Sequence, residues 1–218
     1  MKQYAPLDPA LTRLGRVNEE DGFLNLWWSG TGVRMHFSGT RLEAELESFP
    51  GEHTQWIGVR ADGAPVARFP LQAGKHVYPL LAGMDPAFAH EITLVRDTQP
   101  TFDEAHPLRL CALLTDGEIT SPRQRPLLIE SLGDSLSVGE GTIGPHSATE
   151  WRMAWVSHML AFPELASETL NADKRLVALS GWGVWRGWDG DETHRIGLVY
   201  DRLCAPTPGG DIPCPAFA

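Results

Sequence analysis

The chain has 218 residues, with 28 acidic and 18 basic side chains and a formal net charge of −10 at pH 7. This acidic balance excludes a general attraction to the phosphates of nucleic acid, and no apolar run approaches the roughly 18 residues that a membrane helix needs. Hydrophobic residues make up 42% and charged residues 21% of the sequence, which excludes wholesale disorder. The 22 glycines and 17 prolines indicate many short elements.

The N-terminus and the cysteines indicate the cellular compartment in which the protein is expected. Residues 1–9 have no apolar core of the kind that a secretory signal needs, so we expect a cytoplasmic protein unless a signal has been removed. Cys111, Cys204 and Cys214 are too few for a disulfide framework, and no Cys/His spacing resembles a zinc site. Cys204 and Cys214 could form a disulfide, but two free thiols are favoured in a reducing compartment.

Residues 13 to about 120 have the pattern of β-strands. Residues 33–37 alternate apolar and polar side chains, which is the period of a half-buried strand, and residues 42–46 repeat it. Asp62-Gly63 lies between two apolar runs and predicts a hairpin, because glycine accepts a positive φ. Roughly eight short strands of this kind predict a sandwich or jelly roll.

Two further apolar runs, residues 126–132 and 174–180, each end next to a glycine and predict buried strands. Helical spacing occurs only in this part of the chain, and strands that alternate with helices are typical of a parallel α/β sheet. A polar stretch bracketed by prolines separates the two parts. We therefore expect a β domain over residues 1–121 and an α/β domain over residues 122–218.

Trp151, Trp155 and Met159 carry the clearest helical pattern, because they are spaced i, i+4, i+8. This spacing predicts a helix over residues 151–160 with both tryptophans in the core. A second helix is expected over residues 196–203.

Gly133-Asp134-Ser135-Leu136 follows the first buried strand directly. A serine at the carboxyl edge of a parallel strand lies where the ligands of open α/β sheets bind. Amide groups at the start of the next helix favour an oxyanion there. Ser135 is therefore a candidate nucleophile, which requires a histidine base close by. The alternative is that Ser135 only caps the helix.

Five further tryptophans occur in two groups. Trp182, Trp185 and Trp188 fall within one short stretch, and they form either a sugar-binding platform or packing between the sheet and the sandwich. Trp27 and Trp28 are adjacent in a strand and must face opposite sides, so one of them is partly exposed or covered by the second domain.

The order and spacing of several strings resemble the SGNH/GDSL hydrolases and, more closely, carbohydrate esterase family 2. The strings that carry the likeness are Arg13-Leu14-Gly15-Arg16, residues 37–42, residues 130–135, residues 139–141, residues 180–184 and Tyr200-Asp201-Arg202. Glu140 stands where that family has a tyrosine.

The resemblance implies an N-terminal all-β jelly-roll sandwich followed by an α/β SGNH-hydrolase domain with a flavodoxin-like parallel sheet. It implies that Ser135 is the nucleophile, that its N–H and that of Gly181, or alternatively Gly183, line the oxyanion hole, and that Asp134 supports the loop. The implied reaction removes O-acetyl groups from an acetylated oligosaccharide or polysaccharide such as xylan or mannan, through an acetyl-serine and without a metal or organic cofactor. On this interpretation Trp182, Trp185 and Trp188 contact the substrate.

Two blocks of that family are missing, a Gly-x-Asn-Asp and a C-terminal Asp-x-x-His. We therefore expect an incomplete α/β domain that lacks its catalytic base, and a chain that is a fragment. Asp191-Glu192-Thr193-His194 spells Asp-x-x-His, but its position favours a polar loop, and His146 and His158 are weaker candidates. The alternatives are a non-catalytic carbohydrate-binding jelly roll with a degenerate tail, or another SGNH acyl hydrolase.

Overall fold

A computed structural model describes residues 1–204 and 206–214. The strands of the first 120 residues are β1 Lys2–Tyr4, β2 Thr12–Leu14, β3 Val17–Glu20, β4 Phe23–Leu26, β5 Gly32–Ser38, β6 Arg41–Ser48, β7 Trp56–Ala61, β8 Ala64–Pro70, β9 Gly74–Ala82, β10 His90–Arg96, β11 Leu108–Thr115 and β12 Glu118–Thr120. The later elements are β13 Leu127–Gly133, α1 Ser135–Val138, α2 Phe162–Thr169 and β14 Ala172–Ala178, with single 3-10 turns at Met153–Trp155, His158–Leu160 and Ile196–Leu198.

Strands β1 to β12 form two six-stranded sheets in which all neighbouring strands are antiparallel. One sheet has the order β3-β4-β11-β6-β9 with β1 beside β11, and the other has the order β12-β5-β10-β7-β8 with β2 beside β5. The largest cluster of buried apolar side chains belongs to these two sheets, including Leu24, Met35, Phe37, Leu46 and Ile92. The predicted all-β sandwich is confirmed.

The predicted hairpin at Asp62-Gly63 is also confirmed. Ala61 pairs with Ala64, so a two-residue turn joins β7 to β8. Asp62 has φ 51° and Gly63 has φ 80°. Positive φ at both central residues is the conformation that matches the twist of a two-residue hairpin.

The C-terminal half, residues 127–214, contains the parallel pair β13 and β14. Their register runs from Leu127 opposite Ala172 to Gly133 opposite Ala178. Both strands form where the apolar runs predict them, but the prediction that β13 is buried is wrong, because β14 is its only strand neighbour within the described residues. On β13, Leu128 and Leu132 are 54% and 53% exposed. Within the described residues, these two strands are all of the parallel sheet, and the wider flavodoxin-like sheet stays a prediction.

The helix predicted over residues 151–160 is wrong. This segment has two 3-10 turns, Met153–Trp155 and His158–Leu160. Of the two tryptophans expected in the core, Trp151 is 40% exposed and Trp155 is half-buried, whereas Met153 and Met159 are buried. The i, i+4, i+8 spacing therefore occurs here in an irregular segment, which buries only part of its apolar surface.

Partners distant in the sequence explain why this segment is not helical. The amide of Ser157 donates to the carbonyl of Gly139 at 3.0 Å, and the amide of His158 donates to the carbonyl of Asp97 at 3.0 Å. The amide of Met159 donates to the Asp97 carboxylate at 2.8 Å. Amides bound in this way cannot continue a helical ladder, and tertiary context overrides the helical pattern.

The helix predicted over residues 196–203 is reduced to the single turn Ile196–Leu198. The amide of Leu203 donates to the carbonyl of Ile212 at 2.8 Å, and the amide of Ile196 donates to that of Gly183 at 3.0 Å. Hydrogen bonds to neighbouring loops again replace those of a helix.

The C-terminal half covers both Trp27 and Trp28, which are 3% and 0% exposed. Both follow the end of β4 at Leu26, so the prediction that they lie in a strand is wrong, and both cluster with Val177, Leu179 and Trp182. The indole N–H of Trp28 donates to the carbonyl of Leu203 at 2.6 Å. Coverage by the neighbouring part of the chain, one of the two predicted outcomes, is confirmed.

A buried ionic cluster joins the sandwich to the C-terminal half around Glu164, whose side chain is 0% exposed. Its Oε1 lies 3.1 Å from Nε of Arg60 in β7, and its Oε2 lies 3.3 Å from Nε2 of His158 and contacts Nζ of Lys174. Burial, reinforced by the charge of Lys174, lowers the pKa of His158 to about 3. His158 is therefore a neutral member of this cluster at neutral pH.

The three cysteines are buried free thiols, as expected. In the part of the chain that the structure describes, no helix has both the length and the apolar character needed to cross a bilayer.

Candidate active site

Strands β13 and β14 bring the Ser135 loop and the Gly181 loop to one edge of the parallel pair. Gly133 and Ala178 form the last register pair. Ser135 follows two residues after the first of these, and Gly181 follows three residues after the second. The carboxyl edge of such a sheet is where ligands bind in open α/β folds.

Asp134 supports the turn that presents Ser135. Its carboxylate accepts the amide of Leu136 at 3.1 Å, and its carbonyl accepts the amides of Ser137 at 3.1 Å and Val138 at 3.2 Å. Asp134 is thus the N-cap of α1, and Ser135 is the first helical residue. The alternative in which Ser135 caps the helix is wrong, because the neighbouring carboxylate performs that role.

Helix α1 is a single turn, which is shorter than expected, so its dipole contributes little. The amide of Ser135 has no intrahelical acceptor, as is general for the first residue of a helix. Among residues 1–204 and 206–214, the Ser135 hydroxyl has no hydrogen-bond partner. Both polar groups of Ser135 are therefore available to a ligand.

Two glycines allow this tight turn. A Cβ built on Gly133 would lie 2.0 Å from Oγ of Ser137. Gly139 ends α1 with φ 84°, and a Cβ there would lie 2.1 Å from the carbonyl oxygen of Ser157. Neither position has room for a side chain, so the chain on both sides of Ser135 depends on glycine.

The two candidate glycines for the oxyanion hole differ in whether their amides already donate a hydrogen bond. The amide of Gly183 donates to the carbonyl of His194 at 3.3 Å and is already occupied. The amide of Gly181 has no hydrogen-bond acceptor among the residues that the structure covers, and the Gly181 carbonyl accepts the amide of Trp188 at 3.0 Å. The geometry therefore favours Gly181 over Gly183 as the second oxyanion donor.

The sandwich positions the Gly181 loop through Gln99. The Gln99 amide oxygen accepts the amide of Ser180 at 2.8 Å. The Gln99 carbonyl in turn accepts a hydrogen bond of 3.0 Å from the guanidinium of Arg96, which is fully buried beside Glu104. Ser180, which precedes the candidate oxyanion donor Gly181, is thereby connected to the buried Arg96 of the β sandwich.

A pocket of about 280 Å³ lies at this edge. It is lined from the first loop by Gly133 and Asp134 and from the second by Trp182 and Gly183, with Tyr200 closing another side. Its size is near the lower limit of small-molecule sites.

The three clustered tryptophans divide into one buried and two exposed side chains. Trp182 is 8% exposed, and its ring stacks with that of Phe102 at 5.9 Å and with that of His194 at 5.3 Å. Trp185 and Trp188 are 70% and 87% exposed. A Cβ built on Gly181 would lie 2.8 Å from Cδ1 of Trp188, so this indole lies against the candidate oxyanion glycine.

Sequence reasoning missed a support network that converges behind the pocket. The hydroxyl of Tyr200 donates to Glu130 of β13 at 2.5 Å. Arg16 lies 3.5 Å from the other Glu130 oxygen and donates to the carbonyls of Tyr200 at 2.5 Å and Arg202 at 2.7 Å. All four residues belong to strings that carry the family resemblance, which was the available signal for a shared role.

No described histidine forms a hydrogen bond with Ser135. His158 is fully buried, and burial lowers its pKa to about 3. His194 stacks on Trp182, with its Nδ1 3.8 Å from Asp189 and 3.9 Å from Asp191. Residues 191–194 form a polar loop, as predicted, although only a single turn follows them.

Asp189, Asp191 and His194 place one ligand atom each within 4.8 Å of one another and could offer them to a cation. The two carboxylates are exposed, and Asp191 accepts hydrogen bonds of 2.7 Å from both the amide and the hydroxyl of Thr193. These local bonds lower the pKa of Asp191 and account for the loop without a metal.

Comparison with known proteins gives the same family for the first half of the chain. Residues 13–111 match the family described as carbohydrate esterase 2 N-terminal. The cellulase/esterase CelE of Acetivibrio thermocellus is 25% identical over 176 residues, which are 80% of this chain and 20% of that protein.

Solved structures extend the likeness into the second half. The acetyl xylan esterase Est2A from the rumen bacterium Butyrivibrio proteoclasticus has a TM-score of 0.89 and 27% identity, covering 94% of this chain and 56% of that one. A family two carbohydrate esterase from Clostridium thermocellum, in complex with cellohexaose, has a TM-score of 0.77 and 21% identity, covering 88% of this chain and 57% of that one.

The chain thus spans a fifth of CelE and little more than half of each of these two structures. Residues 13–111, which lie in the two-sheet β sandwich, are thus similar to the N-terminal domain of carbohydrate esterase family 2.

Proposed function

We propose that this chain carries the nucleophile of a carbohydrate O-acetyl esterase, in which Ser135 attacks acetyl groups on xylan-type or mannan-type saccharides. The observation that carries the proposal is the placement of Ser135. It is the first residue after the Asp134 cap, its amide and hydroxyl are unoccupied within the described residues, and the unoccupied amide of Gly181 follows the neighbouring strand.

The proposed reaction has two steps. The Ser135 oxygen attacks the acetyl carbonyl carbon, and the carbonyl oxygen becomes an oxyanion that accepts hydrogen bonds from the amides of Ser135 and Gly181. Collapse releases the sugar hydroxyl, which takes the proton that a base removed from serine. Water then attacks the acetyl-serine, returning acetate and the free Ser135 hydroxyl. Neither step needs a metal or an organic cofactor.

Serine requires a base, and no described histidine supplies one at Ser135. We propose that the base belongs to protein outside these residues and joins the pocket at the carboxyl edge of β13. This is consistent with relatives that are longer than this chain. We also propose that the chain consists of a β domain over residues 1–121 and a hydrolase part over residues 122–218. The end of β12 at Thr120 and the start of β13 at Leu127 support this boundary.

The proposed substrate is an acetylated saccharide. Trp185 and Trp188 expose their indoles on the loop that carries Gly181, and aromatic faces bury a large area against the C–H faces of sugar rings. The names of the relatives, an acetyl xylan esterase and an esterase bound to cellohexaose, support this substrate class. Trp182 would contribute little area to the substrate, because its side chain is only 8% exposed.

Acetate release tests the function. The protein as its source makes it is incubated with acetylated xylo-oligosaccharide, and acetate is measured for the parent, for Ser135→Ala and for the control Ser131→Ala. We expect Ser135→Ala to lose at least about a thousandfold in rate, because the covalent route is removed, while Ser131→Ala, on β13, keeps the parent rate. Equal rates for parent and Ser135→Ala would overturn the nucleophile assignment.

One observation favours a second candidate, a non-catalytic carbohydrate-binding protein. The described residues hold an exposed aromatic pair but no base at Ser135. This candidate predicts that calorimetry detects saccharide binding by the protein as its source makes it, with no acetate release. The esterase proposal predicts both.

A further inference from the structure

A groove centred on Trp151 lies apart from the pocket at Gly133. Two open pockets, about 400 Å³ and about 320 Å³, share Trp151 and Arg152 as their common wall. The larger is formed within the C-terminal half and includes Glu140 and Trp155. The smaller lies between Trp151 and the sandwich. We call these two pockets together the Trp151 groove.

The sandwich contributes Glu52, His53 and Trp56 to the smaller pocket. The rings of His53 and Trp151 meet edge to face, with centroids 5.0 Å apart. Trp151 is 40% exposed, so the indole is held by a contact from the other half of the protein while a large part of it faces solvent. An aromatic side chain held in this way loses little conformational entropy when it binds a ligand.

The two flanking tryptophans are also fixed. The guanidinium of Arg68 lies 4.0 Å from the ring centroid of Trp56, and that of Arg152 lies 5.2 Å from the ring centroid of Trp155. A Cβ built on Gly144 would lie 3.2 Å from the Trp155 ring, so the loop packs closely on this indole. The groove is therefore formed before any ligand arrives.

The polar groups of the groove are mainly carboxylates. Glu52 lines the smaller pocket, and Glu140 and Glu150 line the larger one. Arg152 is paired with Glu150, which leaves a net negative charge. Carboxylate oxygens accept hydrogen bonds from hydroxyl groups, and the charge disfavours anionic ligands.

We propose that the Trp151 groove binds a neutral oligosaccharide at a position separate from the pocket that Gly133 and Asp134 line. Trp151 supplies the stacking face, the carboxylates of Glu52 and Glu140 accept sugar hydroxyls, and the two pockets hold successive rings on either side of the indole. Because both halves of the protein line the groove, a chain bound there also bridges them.

The groove adjoins the turn of Ser135 through the main chain. The amide of Glu140 donates to the carbonyl of Ser135 at 2.9 Å. Glu140 is thus fixed at the near end of the groove by the same short helix that carries the proposed nucleophile.

The test uses cellohexaose, which has no acetyl group, so its outcome does not depend on Ser135 chemistry. Calorimetry is performed in a Trp185→Ala/Trp188→Ala background, which removes the exposed pair near Gly181. We expect binding to persist in this background, to weaken at least tenfold on adding Trp151→Ala, and to recover in part with Trp151→Phe, which keeps an aromatic face.

The matched control is Phe88→Ala, which removes an aromatic side chain that is 63% exposed on the sandwich outside the groove. We expect it to leave the affinity unchanged. Indole N–H resonances of the folded protein provide the second measurement, because cellohexaose should shift the Trp151 signal. Loss of all binding in the Trp185→Ala/Trp188→Ala background, or an affinity unaffected by Trp151→Ala, would overturn the proposal. So would binding of a lysine-rich peptide with no response to cellohexaose.

Discussion

Arg16 donates a hydrogen bond of 2.5 Å to the carbonyl of Tyr200, a residue 184 positions later that lines the candidate pocket. The Arg16 side chain is 1% exposed and lies 3.5 Å from Glu130 on β13. Its guanidinium is also 5.1 Å from the Tyr200 ring centroid. One side chain of the sandwich thus holds both the first parallel strand and the wall of the pocket.

Replacing Arg16 should therefore be costly. Arg16→Met would leave Glu130 and two carbonyls without this donor, and we expect a loss of about 3 kcal/mol in the free energy of unfolding. Urea unfolding measures it. The control is Arg13→Met, because Arg13 is a half-exposed partner of Glu19 and such surface pairs contribute at most about 1 kcal/mol. Equal effects of the two variants would contradict the role given to Arg16.

Gly30 provides a second test of how the two halves meet. It has φ 77°, and a Cβ there would lie 2.4 Å from Nε2 of His158. Gly22 has a similar φ of 83° but no heavy atom within 4 Å of the built Cβ. We expect Gly22→Ala to cost about 1 kcal/mol from backbone strain alone, and Gly30→Ala about 2 kcal/mol more because of the clash.

Thermal unfolding of both glycine variants checks this difference. The excess cost of Gly30→Ala should shrink in a His158→Ala background, which removes the clashing ring. An excess that persists without the imidazole would show that His158 is not the obstacle.

The strands were predictable because each depends on local patterns. Alternation, the Asp62-Gly63 turn and the apolar runs of β13 and β14 are all properties of a few neighbouring residues. The placement of the Ser135 and Gly181 loops at one edge of the parallel pair also followed, since the edge rule for parallel strands needs only the strand order.

The remaining features depend on partners far away in the sequence. The segment after Trp151 loses its helix because Asp97 and Gly139 take its amides. The contacts of Arg16 with Tyr200 and of Glu164 with Arg60 join residues that lie more than a hundred positions apart in the sequence. A periodic pattern within one element cannot predict such contacts. Local pattern therefore predicted the strands and the position of Ser135 after β13, but not the two irregular segments or the residues that hold these elements in place.

Acid should weaken the junction between the halves through His158. Burial, and next the charge of Lys174, lowers its pKa from 6.5 to about 3 in the folded protein. Between these two values the unfolded chain binds a proton that the folded protein does not. Stability from this group is therefore complete above pH 6.5 and falls as the pH drops towards 3, by at most about 1.4 kcal/mol per pH unit.

Urea unfolding at a series of pH values measures this slope. We expect His158→Gln, which has no titrating ring, to reduce the slope between pH 6 and about pH 4. Ring nitrogen shifts of His158 give a direct check. An imidazole that becomes charged near its ordinary pKa in the folded protein would contradict this prediction.

Trp182 and Trp188 should behave differently although they belong to one loop. Trp182→Ala removes a ring stacked with those of Phe102 and His194 and should cost about 3 to 5 kcal/mol of stability. Trp188 is 87% exposed, so Trp188→Ala should change stability by no more than about 0.5 kcal/mol. Its effect should instead be a loss of about 1 to 3 kcal/mol in saccharide affinity, which we attribute to one aromatic contact.

Denaturation and calorimetry on the two tryptophan variants separate these effects. A large loss of stability in Trp188→Ala, or an unchanged stability in Trp182→Ala, would contradict the division of the cluster into a packed ring and an exposed one.

The central claim is that Ser135 is the acyl-accepting nucleophile, and covalent labelling tests it most directly. The protein as its source makes it is treated with a serine-reactive fluorophosphonate, and the modified peptide is identified by mass spectrometry, with Ser135→Ala and Ser131→Ala in parallel. We expect a single label on Ser135, retained in Ser131→Ala and absent from Ser135→Ala. A protein that releases acetate from its substrate while Ser135 stays unlabelled, or that carries the label on another residue, would contradict it.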